Sequence, residues 1–196
     1  MPGRRPYRML ARAEAAAATA ERILDVAIEL FWERPTDQIS LDEVARRASV
    51  SVQTVIRRFG GRDGLFAAAS EREAGRIRRQ RDEAPAGDVA AAVQVLVEHY
   101  ETMGDSVLRL LAEEDRVRGL RVIADQGRAF HRAWCERVFA PALSGLDCPD
   151  RERRLAQLVA VCDVYTWKLL RRQAGLSRGQ TELALVELLE PLLEVS

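Results

Sequence analysis

Hydrophobic residues recur at steps of three and four along most of this 196-residue chain, and this spacing predicts an all-α fold. The first stripe predicts a helix that begins near Thr19. Pro35 ends this helix, because proline disfavours the helical conformation of the residue before it. The buried stripe is expected to comprise Ala20, Ile23, Leu24, Ala27, Leu30 and Phe31.

Two short helices and a longer one follow, and capping residues mark their ends. Ser40, with Glu43 three positions later, predicts a capping box at the start of the first. Ser51 is the N-cap candidate of the second, which Gly60 and Gly61 stop. The three helices are expected over residues 41–48, 52–58 and 62–80. Two short helices joined by a tight polar turn are the layout of a helix-turn-helix, in which one helix crosses the DNA backbone and the next lies in the major groove.

The rest of the chain also predicts only helices. Gly104 and Asp105 are expected to interrupt one of them, and residues 141–149 form the clearest loop. These helices are expected over residues 89–103, 106–113, 117–139, 150–173 and 178–194. The whole chain then has about nine helices. They follow a flexible basic arm over residues 1–18 and lie in a three-helix, helix-turn-helix domain over 19–66 and a second helical domain over 67–196.

The last two predicted helices are apolar on more than one side, which indicates burial against more than one neighbour. We expect a homodimer held by a four-helix bundle, to which each subunit contributes these two helices. The alternative is that they form the core of a monomer. The predicted interface residues are Leu155, Leu158, Cys162, Tyr165, Leu185, Leu188, Leu189 and Leu192.

The amino-acid composition mainly excludes kinds of segment and site. The 30 basic and 30 acidic residues cancel, but residues 1–80 carry 15 basic and 11 acidic side chains, which suits a DNA-binding domain. Three cysteines without metal-ligand spacing indicate reduced thiols in the cytoplasm. We expect no secretory signal, no membrane-spanning segment, and neither metal nor cofactor.

The second short helix carries residue types that contact DNA. Val55 and Phe59 fall on one side and are expected to pack inward. Gln53 can make a bidentate pairing with adenine, and Arg57 or Arg58 can make one with guanine, whereas hydroxyl groups and helix N-terminal amides suit phosphate oxygens. The predicted DNA-binding residues are Ser40, Ser51, Val52, Gln53, Thr54, Ile56, Arg57, Arg58 and Arg62. The alternative is that they are ordinary solvated side chains.

Residues 19–66 resemble the N-terminal domain of TetR-family transcriptional regulators. The resemblance rests on ILDVAIELF (residues 23–31), SLDEVARRASVS (residues 40–51), Thr54 and the stretch 59–65. It implies an all-helical, homodimeric repressor that binds a near-palindromic operator in double-stranded DNA. It further implies that residues 67–196 bind a small-molecule effector, which releases the protein from DNA, and also mediate dimerisation.

The sequence departs from the family pattern at four positions. Pro35 and Ser49 stand where the family usually has glycine, and Ile56 stands where a tyrosine commonly contacts phosphate. The missing tyrosine hydroxyl removes one hydrogen bond per subunit, about 1 kcal/mol. Arg62 replaces the usual lysine and retains its charge. Operator affinity is then expected to depend more on Arg57, Arg58 and the N-terminal arm, with Ile56 limited to a van der Waals contact.

Aromatic and aliphatic residues of the second domain are candidates for an effector pocket, although at helical spacing they can equally be plain core. The candidates are Tyr100, Met103, Val107, Phe130, His131, Trp134, Asp163 and Trp167. Asp163 lies in an apolar stretch, where a buried carboxylate is costly unless it is paired. Its expected counterpart is an arginine across an interface or a cationic effector.

Three functions remain to be compared. The first is an effector-controlled dimeric repressor, and the second is a constitutive or architectural DNA-binding protein without an effector. The third is an enzyme, which is disfavoured because the sequence contains no phosphate-binding glycine loop, nucleophile elbow or metal-ligand cluster. Neither His99 nor His131 belongs to a recognisable catalytic motif.

Overall fold

The computed structural model of the protein describes residues 4–117 and 119–194, and these residues form ten α-helices and no strand. The fold is therefore all-α, as the hydrophobic spacing predicts. None of the described helices is long and apolar enough to cross a membrane. The chain divides into two compact units between Glu73 and Ala74. A functional boundary between residues 66 and 67 stays a prediction.

The first unit is built from four helices around one hydrophobic core. They are α1 (Arg4–Glu33), α2 (Leu41–Arg47), α3 (Val52–Phe59) and the first part of α4 (Arg62–Arg81), with a 3-10 turn (Thr36–Gln38) before α2. Side chains from each helix meet in the core, among them Ile23, Leu30, Val44, Val55 and Leu65. Helices as short as α2 and α3 are unstable alone. The burial of each such side chain, at about 1.5–3 kcal/mol, holds them in place.

α1 is longer than its hydrophobic stripe predicts, since it begins at Arg4 and not near Thr19. The expectation of a flexible basic arm is corrected for residues 4–18, which are helical. The physical reason is the alanine-rich stretch 11–20, because alanine has the highest helix propensity and needs no buried stripe to remain helical. Residues 1–3 of the predicted arm lie outside the described residues.

The turn between α2 and α3 depends on one residue in an uncommon conformation. Ser49 has a φ of 55°, in the left-handed region that favours glycine. At the start of α2, the Ser40 hydroxyl accepts a hydrogen bond from the Glu43 amide at 3.2 Å. Only this half of the predicted capping box forms, because the Glu43 carboxylate accepts hydrogen bonds from Arg46 and Arg47 instead.

The second unit surrounds a larger hydrophobic core. It contains the end of α4, α5 (Val89–Glu113), α6 (Leu120–Val138), α7 (Ala140–Leu143), α8 (Cys148–Val161), α9 (Val164–Trp167), a π-helical segment (Lys168–Gln173) and α10 (Arg178–Leu193). α5 packs against α6, α9 and α10, and α8 packs against α6 and α10. The core includes Leu96, Phe139, Leu158, Trp167 and Leu189.

Three predictions of helix extent in this unit are wrong. The predicted loop 141–149 begins with the short helix α7, because Pro141 fits the first turn of a helix, and α8 already begins at Cys148. α5 is continuous through Gly104, because that glycine lies against the Trp167 ring and packing offsets its low helix propensity. The predicted helix 150–173 is broken after Val161, where Cys162 ends α8 and Asp163 caps α9. The Asp163 carboxylate accepts a hydrogen bond from the Tyr165 amide at 2.9 Å, so the polar side chain competes with the helical bond pattern.

Most of the predicted dimer-interface residues belong to the core of the subunit itself. Five side chains at these positions are fully or almost fully buried in the single chain and have no surface to offer a second copy. They are Leu155, Leu158, Cys162, Leu185 and Leu189. The prediction failed there because a helix packed between two others in one subunit has the same all-round hydrophobic pattern as one at an interface.

Candidate nucleic-acid interface

α3 is fixed at both ends and along one face. Ser51 precedes it and accepts a hydrogen bond from the Thr54 amide at 3.2 Å. Gly60 follows it with a φ of 78° and donates its amide to the Ile56 carbonyl, a conformation that glycine adopts without strain. Val55 is fully buried in the core of the first unit, which confirms its predicted inward position. The helix is therefore held rigidly on this unit.

The opposite face of α3 is accessible. Gln53, Ile56 and Arg57, at positions i, i+3 and i+4, share this face and are exposed, and Arg58 is exposed beside them. No carboxylate among the described residues pairs with either arginine. An amide and two guanidinium groups in this arrangement can make the bidentate contacts that distinguish adenine and guanine in the major groove.

The N-terminal end of α3 suits a phosphate group. The hydroxyl oxygens of Ser51 and Thr54 lie 2.9 Å apart, and the first turn of the helix contains no acidic residue. Helix N-terminal amides together with the helix dipole favour an anion at such an end. The N-terminus of α2 differs, since Asp42 and Glu43 follow Ser40 and their charges repel phosphate. The role of Ser40 shown by the geometry is that of a helix cap.

Arg62 was predicted to contact DNA, but its side chain is bound within the first unit and does not project freely, so this expectation is corrected. Its Nε donates to the Ile39 carbonyl at 3.2 Å, its Nη2 donates to the Thr36 carbonyl, and its guanidinium lies 4.9 Å from the ring centroid of Phe66. These contacts attach the segment before α2 to the start of α4. The sequence showed only a cation at a helix start and contained no signal for the two carbonyl groups.

Val52 also differs from its predicted role. It is half-buried and packs against the core of the first unit, so it is not among the fully exposed positions of α3. Its hydrophobic side chain continues the surface that Val55 and Phe59 bury, which explains this placement.

Other arginines support the helix-turn-helix from outside the predicted set. Arg47 donates to Glu33 at 2.7 Å and to Glu43 at 2.9 Å, which links α2 to α1. Arg22 donates its Nε to the Ala48 carbonyl at 2.9 Å and so attaches α1 to the turn before α3. Sequence reasoning missed both, because surface arginines are common in this chain and nothing in their spacing distinguishes these two.

The aromatic residues predicted to line an effector pocket are embedded in the second unit with their polar atoms bonded. The Tyr100 hydroxyl donates to the Cys162 carbonyl at 3.1 Å, and the Trp134 indole donates to the Arg81 carbonyl at 3.0 Å. Trp167 donates to the Glu101 carboxylate at 3.1 Å. These bonds fix the orientation of all three rings.

The remaining candidates for the effector pocket differ in how far their side chains are buried. Met103 is buried, while Val107, Phe130 and His131 are half-buried. Asp163 is also half-buried and accepts the Tyr165 amide, so the expectation that its carboxylate is buried is corrected. Its pairing with an arginine across an interface or with a cationic effector stays a prediction. The structure brings Tyr100, Trp134 and His131 together around Arg81, a residue that sequence reasoning missed.

Part of the chain is similar in sequence to known bacterial regulators. Residues 23–69 match the sequence model of bacterial regulatory proteins of the tetR family. An uncharacterised HTH-type transcriptional regulator of Mycobacterium tuberculosis is 39% identical over 61 residues, which are 31% of this chain and 30% of that relative. The chain therefore matches less than a third of the relative's length.

Two solved structures share the fold over nearly the whole chain. A transcriptional regulator from Rhodococcus sp. RHA1 is 22% identical with a TM-score of 0.68, and the alignment covers 89% of this chain and 95% of that one. The regulator FadR from Bacillus subtilis, solved in complex with stearoyl-CoA, is 16% identical with a TM-score of 0.62, with 86% and 96% coverage. At these identities the likeness shows the fold alone.

Proposed function

We propose that this chain is a transcriptional repressor of the tetR family of bacterial regulatory proteins and that it binds its operator through α3. The observation that carries this proposal is the two-sided character of α3. Val55 anchors one face to a rigid core, and Gln53 and Arg57 are exposed on another. A helix presented in this way can enter a major groove without losing its own packing.

The exposed side chains suggest different roles at the DNA. Gln53 would pair with adenine and Arg57 with guanine, while Arg58 would contact either a base or the backbone. Ser51 and Thr54 would bind phosphate at the N-terminal end of α3. Ile56 would make a van der Waals contact, such as one with a thymine methyl group.

Homodimerisation would place two copies of α3 on one operator, in major grooves about 34–36 Å apart. The support is a set of exposed hydrophobic side chains at the end of the second unit. Tyr165 on α9 is 51% exposed and Leu188 on α10 is 48% exposed. Leu169 on the π-helical segment and Leu183 on α10 are also exposed, and the π-helical segment contacts both helices. A second copy that covers them would remove apolar surface from water. Tyr165 and Leu188 were predicted for this surface, and Leu192 is half-buried there.

An effector in the second unit would release the protein from DNA. A small molecule that binds one of two conformations more tightly shifts the population towards it, and a few ångströms of added separation would prevent both copies of α3 from docking. FadR from Bacillus subtilis, with the same fold, was solved with stearoyl-CoA bound. The proposal for this chain is a small-molecule effector of its own.

The experiment is a selection of duplexes from a randomised pool by the purified full chain. A near-palindromic motif with two half-sites, bound by two chains, is the expected result. Enrichment of no motif, with affinity that depends only on salt, would contradict sequence-specific regulation and indicate backbone contact alone.

The second candidate is a constitutive DNA-binding protein without an effector. It is favoured by the dense packing of Tyr100, Trp134 and Trp167, whose polar atoms are already bonded within the protein. The two candidates share the DNA-binding unit, so only a ligand-dependent change in operator affinity separates them.

A further inference from the structure

Arg81, the last residue of α4, is a buried cation. It is only 3% exposed, and no carboxylate among the described residues forms an ion pair with it. A guanidinium group stays protonated in proteins. Burying such a charge without a counter-charge costs several kcal/mol, so the local structure is arranged around a positive charge that it does not neutralise.

The guanidinium group is held in a fixed orientation. Its carbon lies 4.7 Å from the ring centroid of Trp134 and 5.4 Å from that of Tyr100. Its Nη1 lies 3.3 Å from His131 Nδ1, which must be the acceptor because a guanidinium group only donates. The Arg81 carbonyl accepts hydrogen bonds from the Trp134 indole and from Arg137, which also fixes its backbone.

Two buried nitrogen atoms in this region have no hydrogen-bond partner, Arg81 Nε and His99 Nδ1. His99 is 4% exposed on α5, next to Tyr100. Burial lowers the pKa of His99 well below its usual value, and the charges of Arg81 and Arg76 lower it further. His99 is therefore a neutral imidazole at pH 7, and its ring can donate a hydrogen bond without adding a second positive charge.

The acidic residues in the same part of the unit are engaged elsewhere. Asp82 pairs with Arg137 at 3.0 Å, and Glu101 pairs with Arg171 at 2.8 Å. Asp163, whose negative charge helps to raise the pKa of Tyr100, accepts a hydrogen bond from the Tyr165 amide. None of these carboxylates is placed to neutralise Arg81.

We propose that Arg81 and His99, with Tyr100, His131 and Trp134 around them, bind the carboxylate group of a small organic acid. We call these five residues the Arg81 cluster. A monoanion matches the single formal charge of the cluster, whereas a phosphate dianion would bring an uncompensated negative charge into a buried site. The role of this acid as the effector rests on the proposed function, but its binding does not.

The competing counter-ion is a thiolate within the protein. Cys135 is a buried free cysteine whose sulfur lies 3.8 Å from His131 Nε2. The hydrogen bond from the Cys162 thiol lowers the pKa of Cys135, and His131 and Arg81 add to this effect against the opposing effect of burial. The same positive environment that favours a bound anion therefore favours this thiolate, and the experiment must separate the two.

The test measures thermal stabilisation and calorimetric binding of the full chain with sodium benzoate and, as the neutral probe of similar shape, benzamide. We expect benzoate to raise the Tm in a saturable manner, and benzamide to bind at least about tenfold more weakly, since a hydrogen bond to a charged group is lost. Cys135→Ser is expected to retain benzoate binding.

The variants are Arg81→Met, which keeps the length of the side chain and removes the charge, and Arg79→Met, which removes an exposed charge from the same helix. Arg81→Met is expected to have a Tm at or above that of the wild type and to lose the benzoate shift, while Arg79→Met retains it. If Arg81→Met does not fold, the benzoate and benzamide comparison on the wild type decides the matter.

Equal responses to benzoate and benzamide, or no response to either, would overturn the proposal. In the second case a Cys135 thiol that titrates as a thiolate at neutral pH identifies the internal counter-ion. Operator binding is measured in parallel, so that a failure of the proposed acid site can be distinguished from a failure of the proposed repressor function. Specific DNA binding without benzoate binding rejects the acid site alone, and benzoate binding that leaves operator affinity unchanged rejects its role as the effector.

Discussion

Gly104 lies directly against the indole ring of Trp167. A Cβ atom at position 104 would stand 2.5 Å from Cζ3 of that ring, closer than real Cβ atoms approach. This contact joins α5 to α9 in the middle of the second core, and the Trp167 indole then donates to Glu101, one turn earlier on α5. The glycine is required by packing, since α5 is helical on both sides of it.

Gly104→Ala is therefore expected to destabilise the protein. Overpacking costs about 1–3 kcal/mol, and the better helix propensity of alanine returns about 0.5–1 kcal/mol of this. The control is Gly127→Ala on α6, where an added Cβ meets nothing within 4 Å and the change is expected to stabilise the fold. Urea denaturation measures both. Equal stabilisation by the two substitutions would show that the Trp167 contact imposes no constraint.

Ser49 offers a test of the turn between α2 and α3. Its φ of 55° costs a non-glycine residue about 1–2 kcal/mol, part of which Ser49→Gly recovers after the added flexibility of the unfolded chain is subtracted. We expect Ser49→Gly to stabilise the protein by about 0.5–1 kcal/mol and Ser49→Val to destabilise it by about 1–2 kcal/mol. A Ser49→Val variant as stable as the wild type would argue against the left-handed turn.

A substitution of Arg62 distinguishes a structural role of this side chain from a role in DNA contact. Arg62→Met removes the hydrogen bonds to the Thr36 and Ile39 carbonyls, and each lost bond to a charged group costs about 1.5–3 kcal/mol. The expected result is a lower free energy of unfolding with no change in the salt dependence of DNA affinity. A phosphate contact would behave in the opposite way, with the slope of log affinity against log salt reduced by about 1 and stability retained.

His99 predicts how stability depends on pH. Burial, with Arg81, Arg76 and His131 adding to its effect, lowers the pKa of His99 in the folded chain, so the unfolded chain binds a proton near its ordinary pKa of about 6.5 while the folded chain does not. Stability is therefore present above that pH and is lost as the pH falls below it. The loss is up to about 1.4 kcal/mol for each pH unit.

The measurement is urea denaturation of the wild type and His99→Gln between pH 7.5 and about 5. The variant should show the flatter profile, since glutamine does not titrate. Parallel profiles would mean that His99 is protonated equally in the folded and unfolded chains.

Local signals predicted the helix-turn-helix well. Ser40 and Ser51 cap the helices they were expected to cap, and Val55 is buried while Gln53 and Arg57 are exposed. Caps and hydrophobic spacing act within one or two turns, so the sequence alone specifies them. The alanine-rich start of α1 was missed because its propensity, with no buried stripe, gives no periodic signal.

Contacts between distant residues could not be predicted in the same way. Arg62 meets carbonyl groups more than 20 positions away, and Arg81 meets Trp134 across the second unit. In a chain whose basic residues are almost all arginine, neither position is distinguished by type or spacing. The buried leucines of α8 and α10 show a different error. Their hydrophobic pattern correctly predicted burial, but they pack within the subunit and not against a second copy.

The most direct test of the account is the sequence preference of Arg57→Ala. Its affinity is measured by fluorescence anisotropy on the selected operator and on versions with each base pair exchanged, beside the wild type and the control Arg79→Ala. We predict that Arg57→Ala loses discrimination at one position of each half-site, worth about 1–3 kcal/mol, and keeps it elsewhere, while Arg79→Ala matches the wild type. If Arg57→Ala instead weakens binding to every sequence equally, or changes nothing, α3 does not read the operator through this face.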